Sequence, residues 1–320
     1  MWIKRRLLKS WGRVTRASKK IVLPLFDGLS LYDVTSFFYE GIAEGSVTSR
    51  AGSIAYSFFL ALFPGIIFFF TLIPFFPVET LEQEIYDIFQ RILPPDTYEA
   101  TFSTIKDVLR NKRGGLLSAG FFLALIFSTN GISAIISNFN QTIHQIESRN
   151  FWQQMLVSFG LTIVLSVNFI IGIIVIIFSS DVLNGLLSFF GLEVISAFAV
   201  ELTRYTLLIL QVFIGIVLLY NYGPSGNRAW RFISPGAILA TVLIVVSSWG
   251  FSFYVANFNQ YNKLYGSIGT LMVILLWIYL NALVLIIGFE LNASIAGLKR
   301  RALEMDDEEA VKISERRDSE

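Results

Sequence analysis

Cysteine is absent and histidine occurs once, at His144, in a chain of 320 residues. Structural disulfides, thiolate nucleophiles, iron–sulfur clusters and cysteine-ligated zinc are thereby excluded, and so is a metal site built from several histidines. Charge is scarce too. Charged residues make up 15% of the chain against 54% hydrophobic, with a mean hydropathy of +0.62. No soluble surface tolerates that balance, so the excess must face lipid. A net charge of +1 lacks the surplus of Lys and Arg that phosphate binding uses, which argues against nucleic acid as a partner. No cofactor motif is present: Gly-rich phosphate loops, serine-nucleophile elbows and zinc-helix motifs are all missing.

Long apolar runs are what the chain does have. A bilayer core about 30 Å thick needs about 20 helical residues. Six stretches qualify, near 52–76, 115–138, 155–178, 198–220, 234–256 and 268–296. The expected fold is all-α: a polytopic bundle of six transmembrane helices with N-terminal interfacial helices and an external helical hairpin. Pro64, Pro74 and Pro235 mark bends or ends. No apolar signal core follows the basic N-terminus within thirty residues, so the first span is expected to insert and stay. With that terminus inside, 18 Lys and Arg fall in cytoplasmic segments and six in external ones. The positive-inside rule therefore implies both termini in the cytoplasm.

Three regions follow. Residues 1–48 form a basic cytoplasmic region. Ile3, Leu7, Trp11 and Val14 recur at helical spacing there, while Lys4, Arg5, Lys9, Arg13 and Arg16 lie elsewhere on the wheel. That pattern suits a helix on anionic inner-leaflet lipids, with an RNA-binding arm as the alternative. A second short helix is expected over 29–45. Residues 49–297 form the membrane domain. Its external segment 77–113 carries apolar stripes (Leu81, Ile85, Ile88, Phe89, Ile92; then Phe102, Ile105, Leu109) broken by Pro94 and Pro95. It reads as a helical hairpin, either a packed cap or a gate or docking surface. Residues 298–320 are densely charged and read as a mobile cytoplasmic tail.

Ionisable groups inside hydrocarbon are costly and mark candidate function. Glu290 has no basic residue within a turn of its own helix, and Arg50 at the inner edge of the first span is the candidate partner. Asn281 lies nine residues from Glu290, about two and a half turns, on nearly the same side of the helix. Glu290, Asn281, Asn292 and Arg50 are thus the expected lining of a polar path. Glu201 and Arg204, three apart, are a second candidate: an internal ion pair, or two groups reaching for the interface. Asn130, Asn138, Asn140, Asn168, Gln211, Asn257, Asn259 and Gln260 supply amides suited to interhelical bonds. Gly52, Gly65, Gly160, Gly172, Gly236, Gly266, Gly269 and Gly288 suit close packing.

The run SRAGSIAYSFFLALFPGIIF (49–68), the segment FNQTIHQIESRNFW (139–152) and residues 234–293 resemble the YihY/BrkB family of bacterial inner-membrane proteins. The resemblance rests on Arg50, Ala51, Tyr56, Phe63 and Pro64, then Tyr265, Gly266, Gly269, Trp277, Tyr279, Gly288, Glu290, Leu291 and Asn292. It implies a six-helix inner-membrane protein. Some members carry a ribonuclease BN label, but one histidine and no Asp/Glu cluster in a cytoplasmic loop, the acids at 304–309 lying on the tail, do not suit a hydrolytic nuclease. The expectation is therefore a non-enzyme: a transporter of a small solute or lipid-like molecule, or a scaffold that recruits partners. An oligomer or a separate protein partner is left open.

Overall fold

A computed structural model describes residues 21, 22, 25–75, 102, 106, 113–142, 149–189, 197–226, 231–257 and 259–318. The basic helix expected over 1–20 and nearly all of the 77–113 hairpin lie outside them. The chain forms two compact units: residues 1–55 with 132–320, and 56–131. Seven α-helices are found among the described residues: α1 (Leu31–Glu44), α2 (Val47–Leu72), α3 (Gly114–Asn140), α4 (Phe151–Phe189), α5 (Ala197–Tyr222), α6 (Pro235–Asn257) and α7 (Asn259–Asp318). Six of them are long and apolar enough to cross a membrane. Their outward faces are apolar, as at Trp249 and Phe253, the reverse of a water-soluble surface. The chain is an all-α polytopic membrane bundle.

The expected spans and the observed helices agree to within a few residues at most ends. Pro64 lies inside α2 and Pro74 in the 3₁₀ turn that follows it. Pro235 opens α6, where its missing N–H costs nothing. The short helix expected at 29–45 is α1. Ser30 caps it, its hydroxyl accepting from the Asp33 amide at 3.1 Å, and Gly45 closes it with a bond from its amide to the Gly41 carbonyl at 3.0 Å. Ahead of α1, the chain turns at Asp27 and Gly28, both with positive φ. The apolar face of α1 packs on α7, with Phe26, Val34 and Ile295 forming a buried cluster.

One expectation needs correction. The segment after Gly297, read as a mobile tail, continues α7 as helix through Asp318. Its Ala, Leu, Glu, Lys and Arg residues are strong helix formers. Arg300 and Glu304 add an i,i+4 pair at 3.8 Å, and Arg301 stacks on the Phe37 ring at 4.5 Å.

Glycines and amides decide how closely neighbouring helices approach. Where α6 crosses α7, a Cβ on Gly236 would stand 2.7 Å from the Asn292 side chain. One on Gly288 would stand 2.6 Å from both the Gly236 carbonyl and the Tyr220 hydroxyl. Gly52, Gly65 and Gly160 have open space instead. Between α4 and α5 the arrangement is reciprocal. Gln211 lies against Gly172, while Asn168 lies against Gly215. Each amide donates to the other residue's backbone carbonyl. In both helices the glycine follows the amide by four residues, one turn on, and supplies the room that the partner's amide needs. In the second unit, Gly120 faces the Phe68 backbone and Gly131 the Phe58 ring.

Gly288→Ala or Gly236→Ala forces backbones apart and should cost about 1–3 kcal/mol. Thermal unfolding of the detergent-solubilised chain should show both variants melting several degrees lower, with Gly160→Ala unchanged as the control.

Candidate functional site

Arg50 sits in the first turn of α2, and its guanidinium reaches three other elements. Nε and Nη2 donate to the Asn138 carbonyl at 2.9 and 2.5 Å. Nη1 donates to the Gly45 carbonyl at 3.2 Å and to Glu290 Oε1 at 2.5 Å. Asn138 lies in the last turn of α3, where carbonyls lack intrahelical partners and the helix dipole favours a cation. Gly45 is the C-cap of α1. Arg50 therefore completes the ends of two helices while pairing with a carboxylate on α7.

Glu290 is fully buried and Arg50 nearly so, at 0% and 4% exposed. A pair so placed gives up hydration of both charges, and only good geometry with further hydrogen bonds offsets that loss. These conditions are met. Every guanidinium nitrogen has an acceptor, one carboxylate oxygen takes Arg50, and the other accepts from Thr142 Oγ1 at 2.8 Å. The residues beside the pair form an aromatic layer. Phe139 stacks on Phe289 with centroids 4.2 Å apart, and Tyr220 meets both edge-on while its hydroxyl donates to the Leu285 carbonyl at 2.7 Å.

Of the four residues expected along one polar path, the structure joins only Arg50 and Glu290. Asn292 serves the α6 N-terminus: its Oδ1 accepts from the Gly236 amide at 2.8 Å and its Nδ2 donates to Ser234 Oγ at 3.0 Å. Ser234 in turn accepts from the Ala237 amide at 3.2 Å. Asn281 bonds within its own helix, to the Trp277 carbonyl at 2.8 Å. The ion pairs among the described residues include none between Glu201 and Arg204. Glu201 is exposed near the start of α5, where the helix dipole itself favours a carboxylate.

Sequence reasoning missed Thr142 and Arg149. Thr142 follows α3 in a loop, with no periodicity to mark it. Arg149 donates to the Gly223 and Pro224 carbonyls just past α5, a cation at a helix C-terminus. Asn140 and Ser225 exchange two bonds of 3.0 and 3.1 Å that hold the same loop. Asn221 clasps the backbone of Arg231 at both its amide and its carbonyl.

Below this node lies a cavity of about 330 Å³. Tyr220, Phe289, Ser234 and Ile295 are buried in its floor; at its rim Arg231 is half-buried and Lys299, Arg300 and Leu303 are exposed. Asp27 bridges two of the rim cations, bonding Arg231 and standing 3.7 Å from Lys299. The Arg231 hydrogen bond holds the Asp27 carboxyl below its ordinary value of 3.8, against an opposing effect of burial.

The model of the Virulence factor BrkB family matches residues 38–313. This chain belongs to the BrkB family. YfkH of Bacillus subtilis (strain 168), which carries a ribonuclease-like name, is 31% identical over 252 residues, covering 79% of this chain and 91% of that protein. A UPF0761 membrane protein of Stenotrophomonas maltophilia (strain K279a) is 26% identical over 270 residues, covering 84% of this chain and 62% of that protein. The chain thus spans under two thirds of that longer relative. No solved structure matches. The BrkB match takes in α2 to α7 whole or nearly so, with Arg50, Thr142 and Glu290 inside it.

Two outcomes follow from the geometry. Thr142→Val removes a hydrogen bond to a buried carboxylate and should cost about 1.5–3 kcal/mol, most of which Thr142→Ser retains; chemical denaturation in detergent measures both. Because the Asp27 carboxyl is depressed in the folded state, its stabilisation is present above pH 3.8 and is lost as pH falls through the lower folded value. Wild type and Asp27→Asn should therefore differ in melting temperature by a constant amount from pH 7 to pH 5, and converge only in stronger acid.

Proposed function

We propose that this BrkB-family protein is a translocator, moving a small solute or lipid-like molecule across the bacterial inner membrane, with the Arg50–Glu290 pair as the closed latch of its path. The observation that carries this reading is the pair itself. Charges so fully buried within a membrane bundle are expensive and mark candidate function. Three features support a latch. The pair joins α2 and α7 through side chains alone. The neighbouring α6–α7 crossing is glycine-lined, which suits two helices sliding past each other. The cavity beside Phe289 and Asn292 ends at the aromatic layer, one residue from Glu290 in the chain. Opening the path would part Phe139 from Phe289 and expose Glu290 to the cavity, with Asn281 further along α7.

The reading carries a topology: both termini cytoplasmic, residues 1–48 against anionic inner-leaflet lipid, the membrane domain over 49–297 and the charged segment 298–320 in the cytoplasm. Its chemistry is not enzymatic and needs neither a cofactor nor nucleic acid. YfkH's ribonuclease-like name suggests a nuclease. Against that, among the described residues no three His, Cys, Asp or Glu side chains gather as metal ligands. A scaffold is the second reading, favoured by Glu290 being dry and fully bonded.

The native chain has no thiol, so single cysteines report access cleanly. Asn292→Cys should react with a membrane-impermeant reagent from the cytoplasmic side, and Asn281→Cys slowly, from the opposite side. Glu290→Gln should loosen the latch and speed the reaction at position 281. Protection of position 281 from both sides, in wild-type and Glu290→Gln backgrounds alike, would leave a dry bundle and favour the scaffold.

A further inference from the structure

The rim cavity between the end of α5, the start of α6 and the 289–303 stretch of α7 has a chemistry that neither the latch nor the family assignment uses. At about 330 Å³ it lies in the size range of small-molecule sites. Its deep polar groups are already engaged: Asn292 with Gly236 and Ser234, Tyr220 with the Leu285 carbonyl, and Asn221 with the Arg231 backbone. What the floor offers a ligand is therefore apolar surface from Phe289, Pro235, Ile295 and the Tyr220 ring. The rim differs. Its lining carries three cations, Arg231, Lys299 and Arg300, against one carboxylate, Asp27. Glu304 lies 3.8 Å from Arg300, in an exposed pair. Asp27 alone faces both Arg231 and Lys299, so a positive charge is left over where the cavity meets solvent.

We propose that this cavity binds a phosphate-bearing amphiphile, with the anionic head at Arg231 and Lys299 and the apolar chain on the Phe289–Ile295 floor. The complementarity is double. A guanidinium presents a fork of donors suited to phosphate oxygens and Lys299 adds a point charge, while the largely apolar floor suits an alkyl chain. A free inorganic anion would use only the rim, and a zwitterionic lipid would bring its own cation against Lys299. The inference stands apart from the translocation reading, since a scaffold could hold the same ligand.

Native mass spectrometry of the full chain in a neutral detergent tests it, with dihexanoyl-phosphatidylglycerol, dihexanoyl-phosphatidylcholine and inorganic phosphate as probes. One phosphatidylglycerol should bind per chain with an affinity about tenfold above phosphatidylcholine, as expected of one charge-assisted contact. Inorganic phosphate should not displace it. Lys299→Gln, at an exposed position, should remove most of that preference, and adding Arg231→Gln should remove the rest. Ala296→Phe keeps the cations but fills the cavity, and it should abolish binding of both lipids. Equal binding of the two lipids to wild type would overturn the proposal. So would a preference undiminished in Lys299→Gln or surviving in the Lys299→Gln, Arg231→Gln double variant, or undiminished binding to Ala296→Phe, which would place the lipid on the outer surface of the bundle. Displacement by inorganic phosphate would overturn it as well, by showing a site for a free anion.

Discussion

Arg50 holds this unit together. One guanidinium satisfies the carbonyl of Asn138 at the end of α3, the carbonyl of Gly45 at the end of α1 and the carboxylate of Glu290 on α7. Each of these groups would be costly to bury alone. Their needs are mutually consistent only when α1, α2, α3 and α7 converge on the place where Arg50 lies. The interaction therefore specifies an arrangement more than it supplies net stability, since hydrophobic contacts of the same volume would hold the helices without choosing among registers.

Around that node the bundle is assembled from features that compensate for the weak hydrophobic drive between helices in lipid. Small residues are used where backbones approach, as at Gly236 and Gly288. Polar side chains are used where a helix end or a neighbouring amide needs a partner. Asn292 completing the α6 N-terminus and Arg149 completing the α5 C-terminus are the same device at opposite poles of the helix dipole. The aromatic layer of Phe139, Phe289 and Tyr220 separates the buried pair from the rim cavity. That separation lets one short segment of α7 carry both a dry ion pair and a ligand-sized hollow.

The fold was largely readable in the sequence because its determinants are local. Hydropathy marks the membrane helices, and Pro64, Pro74 and Pro235 mark their bends and ends. Glu290 was readable as a site because an acid in an apolar run has no local explanation, and Arg50, 240 residues away, stood out as a charge at the edge of a span. The roles of the amides were not readable. Asn292 and Asn281 share a helix with Glu290, and spacing along α7 suggested one polar face. Which helix N-terminus would fall beside Asn292 depends on how α6 packs, and periodicity carries no such information. The charged stretch after Gly297 misled for the opposite reason: composition suggested disorder, while strong helix propensity, an i,i+4 pair and a cation over Phe37 keep it helical.

A double-mutant cycle on Arg50→Met and Glu290→Met, read by equilibrium unfolding in detergent, tests the central role of the pair most directly. Each single change leaves a buried charge or orphaned acceptors and should cost about 3–5 kcal/mol. The double variant should lose about 1–3 kcal/mol less than the sum of the two single losses, the coupling energy of the pair. Single variants that unfold like wild type, or losses that simply add in the double variant, would show that Arg50 and Glu290 act independently and would contradict the account.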